Sequence, residues 1–160
     1  MSATEILNSW LISIGAEAGL ALALNQNGMC AVRRDGGPPL ILEADDDDPN
    51  LSMISPLVDL ARYARSERTR LLQSSLQLNH LGGLDELGML ALDEVGDRLL
   101  LTWSMPLTLL DKVKLAETMD AMLRLAARLK ATFDRDFSAE REAPSRHPLP
   151  EFPPLPGLLT

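Results

Sequence analysis

The sequence predicts an α+β domain with an antiparallel sheet, in the order helix, three strands, helix, two strands, helix. Three observations predict it. Two stretches, LALALNQNGMCAV and LGMLALDEVGDRLLLTW, place apolar runs on either side of glycine-bearing turns and read as hairpins. Segments with apolar residues at helical spacing lie before, between and after them. A length of 160 residues with 46% hydrophobic composition suits one domain with a genuine core.

Ser2 followed by Glu5 reads as a capping box, and Ile6, Leu7, Trp10, Leu11, Ile14 and Ala18 recur at helical spacing, so a first helix ends near Gly15 or Gly19. The first hairpin then gives strands at about 20–25 and 29–34, joined across Asn27-Gly28. Leu20, Leu22 and Leu24 alternate with Ala21 and Ala23. The alanines are expected to let a helix approach closely, and the leucines to form a ridge that fills the core or meets a guest. Asp35-Gly36-Gly37-Pro38 is a turn, and residues 39–44 form a third strand that runs into the acidic loop Asp45–Asp48. Residues 51–58 are a candidate fourth strand, with Pro56 on an edge or past the pairing region, because proline donates no ladder hydrogen bond.

From about Ser66, Leu71, Leu72, Leu76 and Leu78 form the stripe of a second helix. The second hairpin places strands at about 88–93 and 97–104 across Glu94-Val95-Gly96, and Pro106 ends it. Thr108, with Asp111 three residues on, opens the longest helix, which runs to about Phe133. Leu109, Val113, Ala116, Met119, Leu123, Ala126, Leu129 and Phe133 form its expected apolar face. Its acids precede most of its bases, which complements the helix dipole. Residues 1–136 form the expected domain and 137–160 a proline-rich tail. Six of the eleven prolines fall in 143–160, which is expected to be extended, with Leu149, Phe152, Leu155 and Leu158 along one edge of a three-per-turn helix.

A net charge of −8 and a pI near 4.7 argue against nucleic acid as a partner. No stretch approaches the ~20 apolar residues of a membrane span, so no membrane association and a cytoplasmic location are expected. Cys30, the only cysteine, excludes an internal disulfide and reads as a small buried hydrophobe. His80 and His147 have no evident catalytic partner. Four adjacent aspartates point in different directions and lack the spacing of a Ca²⁺ loop, so the loop reads as solvated. Gly36-Gly37 and Gly82-Gly83 lack the context of a phosphate loop and read as turns. Arg62, Arg65, Arg68 and Arg70 form a basic cluster that balances local acids. No catalytic constellation, metal site or cofactor is expected. The profile is that of a binding protein, with a small enzyme as the disfavoured reading.

In whole element order the chain resembles the class I chaperones of type III secretion, the Tir chaperone family. The likeness covers about residues 4–135: the first helix running into LALALNQNGMCAVRRDGGPPLILEA, then LLQSSLQLNHLGGLDELGMLALDEVGDRLLLTWSMPL, then the long helix. The resemblance implies three helices packed on a twisted antiparallel sheet (α-β-β-β-α-β-β-α), a homodimer, and a bacterial cytoplasmic role without ATP. It also implies that an N-proximal segment of a secreted effector is held extended until the secretion ATPase takes it, through strand addition and anchor side chains in apolar grooves. Carried onto this sequence, the effector-binding surface draws on Trp10, Ile14, Leu20, Leu22, Leu24, Met29, Val32 and Ile41. The dimer interface draws on Leu71, Leu72, Leu76, Met89, Leu90 and Leu92. A regulatory adaptor of the same fold, sequestering another protein, is the alternative function.

Overall fold

The computed structural model describes residues 2–80, 84 and 87–137. The proline-rich tail, His147 and Gly82-Gly83 lie outside the described residues. Helix α1 (Ala3–Ala18) is followed by strands β1 (Met29–Val32), β2 (Leu40–Asp45) and β3 (Asp48–Asp59), helix α2 (Arg65–His80), strands β4 (Met89–Asp93) and β5 (Arg98–Pro106), and helix α3 (Lys112–Asp136). All neighbouring strands are antiparallel, in the order β1-β2-β3-β5-β4, so β1 and β4 are the edges. The expected class and element order hold.

The three strands before α2 are not the three that alternation suggested. Residues 20–25 form no strand. Their ladder with β1 stops after one rung, from Asn25 N to Met29 O (2.7 Å). The competing partner is α1. Gly15 has no side chain, and a Cβ there would lie 2.5 Å from the Leu20 carbonyl oxygen and 2.9 Å from Leu22 N. The chain therefore leaves the helix through the left-handed Gly19 and doubles back against it, and Leu24 N donates to Asn8 Oδ1 (2.8 Å). The close approach thus comes from Gly15 on the helix. Ala21 and Ala23 are exposed, while Leu22 enters the core.

The turn also differs from the expected two-residue type. Among its residues only Gly28 has positive φ (70°), and Asn25 O accepts from Gly28 N (3.0 Å). Asn25 Oδ1 accepts from both Asn27 N and Met29 N, which makes a three-residue loop closed by an asparagine side chain.

Residues 51–58 belong to β3, the twelve-residue central strand. Pro56 is tolerated there because pairing with β2 ends at Ile54 and a bulge interrupts the β5 ladder between Pro56 and Val58. Helix α3 starts later than Thr108 predicts. Thr108 lies in a short 3₁₀ turn (Leu107–Leu109), and Asp111 caps the helix by accepting from Lys114 N (2.8 Å). This sets the phase of the buried face, which is Leu115, Met119, Met122, Leu125, Ala126, Leu129 and Phe133. Leu109 precedes the helix, and Val113 points outward from its first turn; both are exposed.

Helices α1 and α3 pack on one face of the sheet, where Leu7, Leu11, Leu40, Leu42, Leu51, Met53, Leu99, Leu101 and Phe133 are fully buried. Along β3, Leu51, Met53, Ser55 and Leu57 are buried while Ser52, Ile54 and Pro56 are half-buried. The second set marks the opposite face of the sheet, against which no helix among the described residues packs its apolar side. Ser55 and Ser75 are the buried polar residues among those described, satisfied by donating to the Pro39 (2.8 Å) and Leu71 (2.9 Å) carbonyls.

Candidate functional site

The eight residues expected to meet a guest divide between the core and the surface. Leu22 and Val32 are buried beneath α1 and α3, and Ile41 is nearly covered on the outer sheet face. Trp10, Ile14, Leu20, Leu24 and Met29 are half-buried. Trp10 and Ile14 are set about 100–140° around α1 from Gly15, while Leu20 and Leu24 lie along the seam where 20–24 doubles back beside Asn8 and Gly15. At its far end, Thr4, Asn8, Leu24, Asn25, Gly28 and Asp46 line an open cavity of about 490 Å³.

The two sheet edges are chemically unlike. At β4, the Asn79 side chain takes both main-chain groups of Leu90: Nδ2 donates to its carbonyl (2.9 Å) and Oδ1 accepts from its N–H (2.8 Å). That edge is closed in its middle against an added strand. At β1, the main-chain groups of Met29 face Asn25, so the alternation of an antiparallel ladder turns those of Ala31 outward as well. Because 20–24 peels away toward α1, Ala31 loses its hairpin partner. The β1 edge is open there.

The expected dimer residues sit around α2 and β4. Leu71 and Leu90 belong to the core, Leu72 is half-buried, and Leu76 (69%), Met89 (59%) and Leu92 (42%) are exposed. By strand alternation Met89 stands on the open face with Thr102, while Leu92 shares the helix-side face with Leu90, so Leu76 and Leu92 adjoin on the α2 side and Met89 lies across the strand from them.

The strand register reveals a feature that linear reading missed. Ala31 pairs with Ile41, Ile41 with Ile54, Ile54 with Thr102, and Thr102 with Met89. One row of cross-strand neighbours, predominantly apolar, crosses all five strands on the open face. At its β3-β5-β4 end lies a groove of about 690 Å³ whose open-face side chains are Ser52, Ile54, Met89, Thr102 and Ser104; Trp103 and Met105, paired with Met53 and Leu51, belong to the helix-covered face.

The charged clusters are accounted for locally. Arg68 bridges to Asp97 (2.7 Å) and Arg70 to Glu67, in line with local balance. Asp46 is more than a solvated loop acid. Its Oδ1 accepts from Thr4 N (3.1 Å) and Thr4 Oγ1 (2.8 Å) at the start of α1, and these hydrogen bonds hold its carboxyl below the usual carboxylate range. Among the described residues no group of His, Cys, Asp and Glu has the arrangement to hold a metal. Burial pushes the Cys30 thiol up. No helix among the described residues is long and apolar enough to cross a membrane.

Comparison with known proteins bears on the same elements. The structure is similar to the crystal structure of the ExsC-ExsE complex (TM-score 0.67, 17% identity, 83% of this chain and 97% of that one). It is also similar to the HopA1-SchA chaperone-effector complex (0.61, 20%, 80% and 95%). A third likeness is to the heterodimeric ExoU-SpcU complex from the type III secretion system of Pseudomonas aeruginosa (0.58, 20%, 81% and 98%). At these identities the likeness is one of fold. No curated protein matches the sequence. The family model of the Tir chaperone protein (CesT) family matches residues 9–130, from within α1 to within α3, and the chain belongs to that family.

Proposed function

We propose that the protein is a homodimeric cytoplasmic chaperone that binds an N-proximal segment of a type III secretion effector in extended form and keeps it competent for secretion. The observation that carries this reading is the open β1 edge at Ala31, beside the half-buried apolar residues Leu20, Leu24 and Met29. A guest strand pairs with an edge through its backbone whatever its sequence, and side chains beside the edge select its apolar anchors. Family membership, the similar structure described as a chaperone-effector complex and the one from a type III secretion system support the assignment. The exposed apolar side chains of α2 and β4, Leu76, Met89 and Leu92, with Leu72, serve the homodimer contact around the β4 edge, opposite the β1 guest edge.

The test is co-expression with the protein encoded beside it, followed by pull-down of an N-proximal fragment and amide hydrogen exchange on the complex. Slowed exchange of the Ala31 amide on binding, with no dependence on nucleotide, is the expected result. A complex that forms while Ala31 exchanges as in the free protein refutes strand addition at β1. Nucleotide-dependent binding refutes the ATP-independent role.

A further inference from the structure

Main-chain pairing alone leaves the sequence of an added strand unspecified. The β1 edge is not electrically uniform, and its charge supplies a selection. We propose that, on the strand-addition reading, Arg33 holds a carboxylate of the guest, so that the segment added at Ala31 carries an acidic residue where it passes the Arg33 end of the edge.

Asn25 occupies the edge at Met29, giving its N–H to the Met29 carbonyl and accepting from Met29 N through its side chain. A guest therefore enters at Ala31 and continues toward Arg33, two residues on and in the same phase of the alternation. Arg33 directly follows β1, is exposed, and makes no side-chain hydrogen bond or ion pair among the described residues. Its surroundings keep that end basic. Asp120 is shared between Arg34 and Arg124, each at 2.7 Å. The loop after β1 lies against this part of α3, since a Cβ on Gly37 would be 3.7 Å from that of Ala127. Asp35 and Asp120 offset two of the three guanidiniums and leave one cation over. The Met29 end is the reverse. Glu43 is the exposed cross-strand partner of Met29, and Asp45 and Asp46 line the cavity beside Gly28. On a chain of net charge −8, an anionic group thus meets repulsion at one end of this edge and an unpaired guanidinium at the other. Every strand pair in the sheet is antiparallel, the stronger pairing per residue, and an antiparallel guest places one residue opposite Arg33 on the same face and the next, opposite Val32, toward the helix side. The pattern admitted is an acid followed by an apolar residue.

The probes are three synthetic peptides, Ser-Asp-Leu-Thr-Leu-Ser blocked at both ends and the forms with Asn or Lys in place of Asp. They are titrated at millimolar concentration into the full-length protein while the Ala31 amide is followed by NMR. The Asp peptide is expected to bind about twofold to fivefold more tightly than the Asn peptide, the range of an exposed ion pair, and the Lys peptide least tightly. Net charge alone gives the opposite order, because the chain is acidic. Arg33→Glu should make the Lys peptide the tightest. Arg65→Glu, the same change of charge at another exposed arginine on α2, should leave the wild-type order in place. Equal affinities, a wild-type preference for Lys, an order that Arg33→Glu does not change, or an inversion that Arg65→Glu produces as well each overturn the carboxylate site while leaving strand addition standing. Absence of any Ala31 shift with all three peptides overturns strand addition at β1, and the carboxylate site with it.

Discussion

Gly28→Ala is expected to destabilise the protein far more than Gly19→Ala, although both glycines have φ of 70°. An alanine in the left-handed region costs about 1–2 kcal/mol at either site. At Gly19 the new methyl meets nothing within 4 Å, so that strain is the whole cost. At Gly28 the Cβ falls 2.1 Å from the Ala44 carbonyl oxygen, a backbone atom of β2 that cannot swing aside. Relief requires β1 and β2 to part near the turn, which breaks the hydrogen bond from Ala44 N to Gly28 O (3.0 Å), worth about 1 kcal/mol. Overpacking adds about 1–3 kcal/mol. The expected loss is therefore about 3–6 kcal/mol at Gly28 against about 1–2 kcal/mol at Gly19. Urea unfolding followed by circular dichroism measures both, with the slope m held as the check on two-state behaviour. Equal midpoints for the two variants would refute the argument that backbone contact, and not φ alone, demands glycine at the turn.

Four further outcomes are expected. Leu76→Glu with Met89→Glu should convert a dimer of 17.5 kDa chains to a monomer in light scattering with little loss of melting temperature, since both side chains are exposed; an unchanged mass moves the interface elsewhere. Asn79→Ala should cost about 1–2 kcal/mol and promote association through the freed β4 edge, and Asn79→Asp, which keeps only the acceptor, should fall between; wild-type behaviour of both in unfolding and turbidity would deny the edge-closing role. Asp46 has a depressed carboxyl in the folded state, so its contribution is present above about pH 4 and is lost as pH falls through the folded value; Asp46→Asn should flatten the acid limb of stability against pH. Cys30, buried with a raised pKa, should react with a thiol reagent at pH 8 only at the rate of unfolding, and fast stoichiometric labelling of the native protein would contradict its placement.

Local patterns with a single physical meaning were legible in the sequence. The Ser2–Glu5 capping box forms as read, Cys30 is buried, and the second hairpin falls within two residues of its expected bounds, because each depends on neighbours a few residues away. The element order and the family resemblance were legible for the same reason: hydrophobic period survives in one dimension. The strand identity of 20–25 was not, since its alternation fits a strand and Asn25-Gln26-Asn27-Gly28 does turn, yet Gly15 offers the closer partner. No spacing within 20–34 encodes that competition. Residues 51–58 read only as a candidate strand because of Pro56, whose harmlessness depends on where β2 stops and β5 bulges.

The candidate surfaces divide in the same way. Apolar residues named from the sequence as guest-facing were partly core, because alternation says that two faces differ but not which one the helices cover. By itself the sequence determined that Leu76 and Met89 are apolar, that Asn79 is polar, and that prolines crowd residues 143–160. Only the tertiary structure decided that Asn79 seals one sheet edge while Ala31 leaves the other open, and that residues from five strands align as one track. Register between distant strands is set by packing and hydrogen bonding across the whole sheet, and these act on distances in space, to which separation along the chain is no guide.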